Sequence, residues 1–467
     1  MKKSRLITAF LTAVTAASML SPTAHATYIK DGDTPVIDLK PSVEGELKRT
    51  EIDLGNGHGK IEQCYVDEKG KPYKTAGKID YVSGWYFKAA ALMEGTHIRT
   101  AFVSTNSITQ GEQVAGVWKP LYDRFGIHID FAHRTFRWDS EASLKAHVHC
   151  VIVGFSVAEN TADRRMFDNG IEKAVKNINA FLVEAPNVFI ESRSTPICDV
   201  PKMTTGNSPA DGGHLIIEAD DYDDFIKREP NAVKYIKKLT GAAEYINNKD
   251  RYCLWLVGVS PAELRKMPEV MKRVDACRQD RLNGAPDRQK LADTPTVFRE
   301  TKNPSTYIIV PATSSENRKY IPLGFLDKNT ISTNSAVIIP EATLYHFGIL
   351  TSNVHMAWMR AVCGRLGNGY RYSKEIVYNT FPWCDSSEKQ KAKIEQTAQS
   401  ILDARAKYPE CSLADLYDET FMPIELRKAH EANDRAVMEA YSFAKDMTES
   451  EIVAELFKMY EKLVEGK

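Results

Sequence analysis

The stretch that most restricts the fold of this chain runs from Asp80 to Ser156. "DYVSGWYFKAAALM" reads as a helix with Tyr81, Trp85 and Ala89 on one face, and "HIRTAFVSTNSI" as an apolar strand closed by a polar turn. A second helix, "QGEQVAGVWKPLYDRF", feeds the strand "IHIDFAHRTFRW", and after a polar loop "AHVHCVIVGFS" is almost continuously apolar. A strand of that kind predicts an interior position covered on both faces. Helices alternating with such strands specify an α/β unit.

The remainder divides by pattern. Between residues 161 and 340, short strands such as "VFIES", "HLIIEA", "RYCLWLVG" and "STYIIVP" alternate with turns and with basic helices such as "PNAVKYIKKLTG", which predicts a separate α+β domain. Residues 341–467 read as mostly helical: Ile394, Ala398, Ile401 and Leu402, then Ile452, Leu456, Phe457 and Tyr460, fall at helical spacing. Thr448 with Glu451 forms a capping box ahead of the last helix. Residues 27–77 read as poorly organised or as short strands and turns. Residues 1–26 look like a secretory signal, with Lys2, Lys3 and Arg5, an apolar run from Leu6 to Leu20, and Ala24-His25-Ala26 as a cleavage site.

Charge and cysteine usage narrow the chemistry. A formal net charge of −1 over 467 residues means that any nucleic-acid surface is a local patch. The eight cysteines show no Cys-x-x-Cys and no Cys/His cluster, which argues against zinc and against a disulfide framework. No later run has the length of a membrane span. "EIDLGNGHGK" carries Gly55, Gly57 and Gly59 after Asp53, as many nucleotide and S-adenosylmethionine sites begin. Such a fingerprint counts only between a strand and a helix. The polar, turn-rich "IEQCYVDEKGKPYKTAGK" follows here, so a turn between two short strands is the preferred reading.

Longer motifs go further. "IDYVSGWYFKAA", "IRTAFVSTNSITQGEQVAGVWKPL", "IHIDFAHRTFRW", "MTTGNSPADGGHLII", "SSENRKYIP", "LTSNVHMAWMRAVCGRLGNGYRYSKEIVYNTFPW" and "LADLYDETFMPIELRKAHEANDRAV" follow one another in the chain. Together they resemble the MmeI-like DNA adenine methyltransferases of type IIL restriction–modification systems, from about residue 64 to the C-terminus. The resemblance implies the second half of a class I methyltransferase sheet over 78–160, an α+β target-recognition domain over 161–340 and a mostly helical C-terminal domain over 341–467. It also implies a DNA adenine-N6 methyltransferase using S-adenosyl-L-methionine on a flipped base, with double-stranded DNA as partner and no membrane.

Part of that family's machinery is missing from the sequence. The family places its cofactor strand and an Asn-Pro-Pro-Phe/Tyr loop well upstream of the "DYVSGWY" segment. Here only about twenty residues separate Gly59 from Asp80, too few for a strand–helix–strand unit, and no Pro-Pro dipeptide occurs. The expectation is a chain that by itself binds no cofactor and is catalytically inactive, with the missing N-terminal half a possible separate partner chain. A DNA-binding recognition remnant is the alternative. The signal-like residues 1–26 conflict with a cytoplasmic methyltransferase and leave a secreted protein as a third reading.

Individual residues carry two readings each. Phe136 or Trp138 is expected to stack on the extruded base, against plain core packing. Asp80 and Tyr81 are the weak cofactor candidates, with helix cap and core favoured for them and for Trp85. Ser314, Ser315, Glu316, Arg318 and Lys319 form a loop suited to phosphate oxygens and to cytosine and guanine edges, or a solvated charged turn. Arg360, Arg365, Arg371 and Lys374 form the densest basic and aromatic mixture and read as a surface gripping the DNA backbone. Asn207, Ser208, Pro209 and Asp211 fit a structural turn at least as well as a contact, and His346 and His355 fit core or capping positions.

Overall fold

The computed structural model describes residues 47–53, 59–65, 79–139, 147–158, 163–367 and 369–466, the first two stretches as backbone only. The signal-like residues 1–26 lie outside the described residues. The chain forms two compact units, Met1–Lys78 and Ile79–Lys467. In the first, strands β1 (Leu47–Asp53) and β2 (Gly59–Tyr65) pair antiparallel, with Asp53 opposite Gly59. The glycine run is thus followed by a strand that folds back on the one before it. The helix that a cofactor fingerprint requires does not come next.

The second unit opens with the α/β segment. The helix Ser83–Met93 precedes β3 (Arg99–Thr105), a helical stretch with a π-turn at Val114–Trp118 ends at Phe125, and β4 (His128–Asp139), β5 (His147–Ser156), β6 (Arg164–Asp168) and β7 (Ile171–Val175) follow. The sheet order is β3-β5-β4-β6-β7, with β5 antiparallel to both of its neighbours. One face packs tightly: Tyr86 stacks on Phe155 with ring centroids 5.5 Å apart, Trp118 meets Tyr86 edge-on, and Tyr86 Oη lies 2.7 Å from Ser104 Oγ.

The structure departs from the sequence-based expectation at two places in this segment. β5 lies inside the sheet, but only one of its faces is fully covered: on the other Val148 is exposed, as is Val103, which stands opposite Ile152 on β3, while Cys150 and Ser156 are buried. Tyr81 and Trp85 are exposed, at 68% and 55%; of the expected face only Ala89 is buried, and the core is entered by Tyr86, Phe87, Ala90 and Met93. A helix rich in apolar residues on several sides offers more than one face, and the sheet selects the one with the most compact packing.

Short strands dominate residues 204–340: β8 (Thr204–Thr205), β9 (Ile216–Glu218), β10 (Ile236–Thr240), β11 (Arg251–Leu254), β12 (Thr306–Pro311), β13 (Thr313–Ser314), β14 (Gly324–Asp327), β15 (Thr330–Ser332) and β16 (Ala336–Pro340). They make two four-stranded sheets, β15-β10-β11-β9 and β14-β12-β16-β8. "PNAVKYIKKLTG", expected as one helix, is a short 3-10 helix (Pro230–Tyr235) that gives way to β10; β10 pairs with β11 and β15 and sends Leu239 into the core. "VFIES" buries Val188 and Ile190 without joining a sheet among the described residues.

Arg281 is fully buried and holds the surrounding loops. Its guanidinium donates to the carbonyls of Ala210, Leu291, Thr294 and Val297 at 2.7–2.9 Å and to Pro209 at 3.3 Å. Asn207 is equally structural, donating to the Ser332 and Lys302 carbonyls, and Asp211 accepts from the Gly213 and Leu215 amides. Residues 341–466 are mostly helical, with long helices at Glu388–Ala406, Ile424–Ala440 and Glu449–Glu465. The Thr448–Glu451 capping box is present at the start of the last one.

Candidate nucleic-acid interface

A small sheet brings distant basic segments together. Strands β17 (Gly364–Leu366) and β18 (Gly369–Arg371) form a hairpin, and β18 also pairs with β13, so that Thr313 faces Arg371 and Ser314 faces Tyr370. Glycine permits both close approaches that fix the hairpin. A Cβ on Gly369 would stand 2.8 Å from the Ser314 carbonyl oxygen. Gly111, at φ +55°, lies so near the hairpin base that its Cβ would stand 3.3 Å from Gly364 Cα. The hairpin is therefore seated between the α/β segment and the loop after β13.

The side chains on this surface differ in freedom. Arg371, Lys319 and Glu316 are exposed, Ser315 Oγ accepts from the Asn317 amide, and Ser314 is buried. Arg318 is half-buried with Nη1 3.5 Å from Ser314 Oγ; burial draws its guanidinium below the ordinary value, against the pull of Asp418. The Arg365 guanidinium lies 4.1 Å from the centre of the Tyr370 ring, a cation–π contact. Arg360 is held instead: Nε and Nη2 donate to the two Glu449 oxygens at 2.8 Å, and Nη1 donates to the Lys319 carbonyl at 2.9 Å. Lys374 is likewise paired with Glu375. The two segments singled out in the sequence thus meet in space, while two of their cations are tied to carboxylates.

Beside the hairpin lies a cleft of about 310 Å³ lined by Gln110, Arg134, Thr135, Arg360, Arg365 and Tyr370, among others. Arg134 is ion-paired with Asp168 at 2.8 Å. Thr135 sits in the register shift of the β4–β5 pairing between His133 and Phe136, beyond which Phe136 faces Cys150 and Trp138 faces Val148. Phe136 is half-buried, Trp138 is exposed, and their rings are 6.2 Å apart. Asp80 accepts from Ser107 Oγ at 2.9 Å and does not cap the first helix, and Tyr81 projects into solvent.

Gln110, Arg134 and Leu366 belong to this surface without a sequence motif that marks them. Arg134 stands in "HRTFRW", where nothing but its place beside the aromatics sets it apart from a solvated arginine. The glycines around Leu366 in "CGRLGNGYR" were the available signal for a hairpin. His355 is a core residue, its Nε2 2.8 Å from Tyr372 Oη, and His346 Nδ1 joins the Thr343 cap. Among the described residues no group of three or more His, Cys, Asp or Glu side chains could hold a metal ion, and no helix is long and apolar enough to cross a membrane.

Comparison with known proteins places these parts. Residues 59–168 match the family described as MmeI, DNA-methyltransferase domain; residues 184–385 match MmeI, target recognition domain; and residues 386–466 match MmeI, C-terminal domain. DNA methyltransferase A of Bacillus subtilis (strain 168) is 40% identical over 394 residues, covering 84% of this chain and 45% of that protein. The structure of the type IIL restriction–modification enzyme MmeI in complex with DNA superposes with a TM-score of 0.79 at 43% identity, covering 84% of this chain and 53% of that one. The chain spans about half the length of these relatives.

Proposed function

Because the chain belongs to the MmeI family of DNA methyltransferases, with its methyltransferase, target-recognition and C-terminal domains in that order, we propose that it binds double-stranded DNA and reads a short site for adenine-N6 methylation. The observation that carries this reading is the union of the 313–319 loop with the 364–371 hairpin in one sheet beside a cleft lined by arginines. Exposed Arg371 and Lys319 supply charge for phosphate oxygens. Glu316 and Arg318 supply an acceptor and a fork of donors for base edges. Phe136 and Trp138, one half-buried and one exposed at the end of β4, are the aromatic platform for an extruded adenine.

S-adenosylmethionine is the methyl donor that the family implies. The residues present do not fit it: the glycine run joins two antiparallel strands, Asp80 is engaged by Ser107, and the sequence has no Asn-Pro-Pro loop to hold the adenine amino group. Methylation of DNA is expected to need a segment that carries those elements.

The test is selection of bound duplexes from a random pool, at moderate salt. A short asymmetric motif should be enriched, and Arg318→Ala should relax one of its positions, at a cost of about 1–3 kcal/mol there. Absence of any motif, or one indifferent to Arg318→Ala and Glu316→Gln, would reject the reading.

A further inference from the structure

We infer that Leu366 is a wedge that enters the base stack of duplex DNA; the inference rests on the DNA-binding reading above. Leu366 ends β17 at the turn of the hairpin and is 65% exposed. A single exposed leucine means little in itself. This one follows Arg365 directly, and the opposite strand of its hairpin ends at the exposed Arg371. Arg371, opposite Gly364 at the open end, supplies a cation for the phosphate backbone behind the tip, while Arg365 is packed on the Tyr370 ring.

The support beneath Leu366 is what a wedge needs. Pushing bases apart costs a few kcal/mol per step, so an inserted side chain must stand on a frame that does not give way. Here the hairpin is braced at both ends: at the turn Gly369 lies close to the Ser314 carbonyl, and at the open end Gly364 lies close to Gly111. Tyr370 is buried between them, with the Arg365 guanidinium against its ring. The adjoining cleft reaches Thr135, next to Phe136. A base leaving the stack toward that aromatic end would open a gap, and an apolar side chain from the neighbouring hairpin can fill it.

The experiment measures binding of the full chain, at low salt, to a short duplex and to the same duplex with one abasic site. The abasic site removes a base that the wedge must otherwise displace, so the wild-type chain should bind it roughly tenfold more tightly. Leu366→Ala should abolish that preference, Leu366→Met should retain it, and Arg371→Ala should weaken binding to both duplexes alike. Because Leu366 is exposed, unchanged thermal unfolding of the variants is expected and shows that the fold is kept. Equal wild-type affinities for the two duplexes, or an undiminished preference in Leu366→Ala, would overturn the wedge and leave DNA binding standing. Failure to bind either duplex would overturn both.

Discussion

Asp434 lies at the joint between the recognition loop and the C-terminal helices. Its Oδ2 accepts from Tyr320 Oη at 2.6 Å, one residue after Lys319, and its Oδ1 accepts from the Asn353 amide at 2.8 Å. Burial raises this carboxyl to about 6, against the lowering effect of those hydrogen bonds and of Lys319. A folded-state value above the unfolded one means that the native state binds the extra proton. The resulting stability is fully present below about pH 4 and is lost as pH rises through about 6. Asp434→Asn should remove this component, so the wild-type chain should lose stability relative to the variant between pH 4.5 and 7, by on the order of 2 kcal/mol. Thermal unfolding of both across that range checks it, and parallel curves would contradict it. Nothing in "ANDRAV" distinguishes Asp434 from a solvated helical acid, because its burial depends on Tyr320, distant in sequence. The same holds for the tie between Arg360 and Glu449. Sequence shows which residues carry charge, whereas its availability is settled by partners folded in from elsewhere.

At the scale of elements, close helix packing gives the sharpest expectation. Gly348 lies in the helix Leu344–Leu350, and a Cβ there would stand 2.5 Å from Ile394 Cγ2 and 3.2 Å from Ala398 Cβ on the helix Glu388–Ala406. Its carbonyl also accepts from Asn433 Nδ2 at 2.8 Å. Gly348→Ala should therefore destabilise the chain by about 1–3 kcal/mol through overpacking, despite the better helix propensity of alanine. A midpoint in denaturant equal to or above that of the wild type would refute this. Ile394, Ala398 and Ile401, legible from their spacing, do form the buried face of that second helix. So were β3, β4, β5 and the Thr448–Glu451 cap. Short strands were less legible: "YIKKLT" fits a helix or a strand, and pairing with β11 and β15 decides for the strand.

For the molecule as a whole, the α/β segment leaves apolar surface open. β3 is the edge of its sheet among the described residues, and Val103 on it, opposite Ile152 of β5, is 44% exposed; Val148 and Trp138, paired farther along the sheet, are exposed as well. Such an edge templates pairing with other chains, so the protein should self-associate as its concentration rises, and Val103→Lys should suppress this with little loss of stability. Light scattering that is identical for both proteins would count against it. If the chain grips duplex DNA through the surface built by β13, β17 and β18, its affinity must depend steeply on salt. Between about 50 and 200 mM salt, log K should fall linearly with log salt, and Arg371→Ala and Lys319→Ala should each reduce the steepness by about one. No binding at the lower salt, or a slope that neither substitution changes, would contradict it.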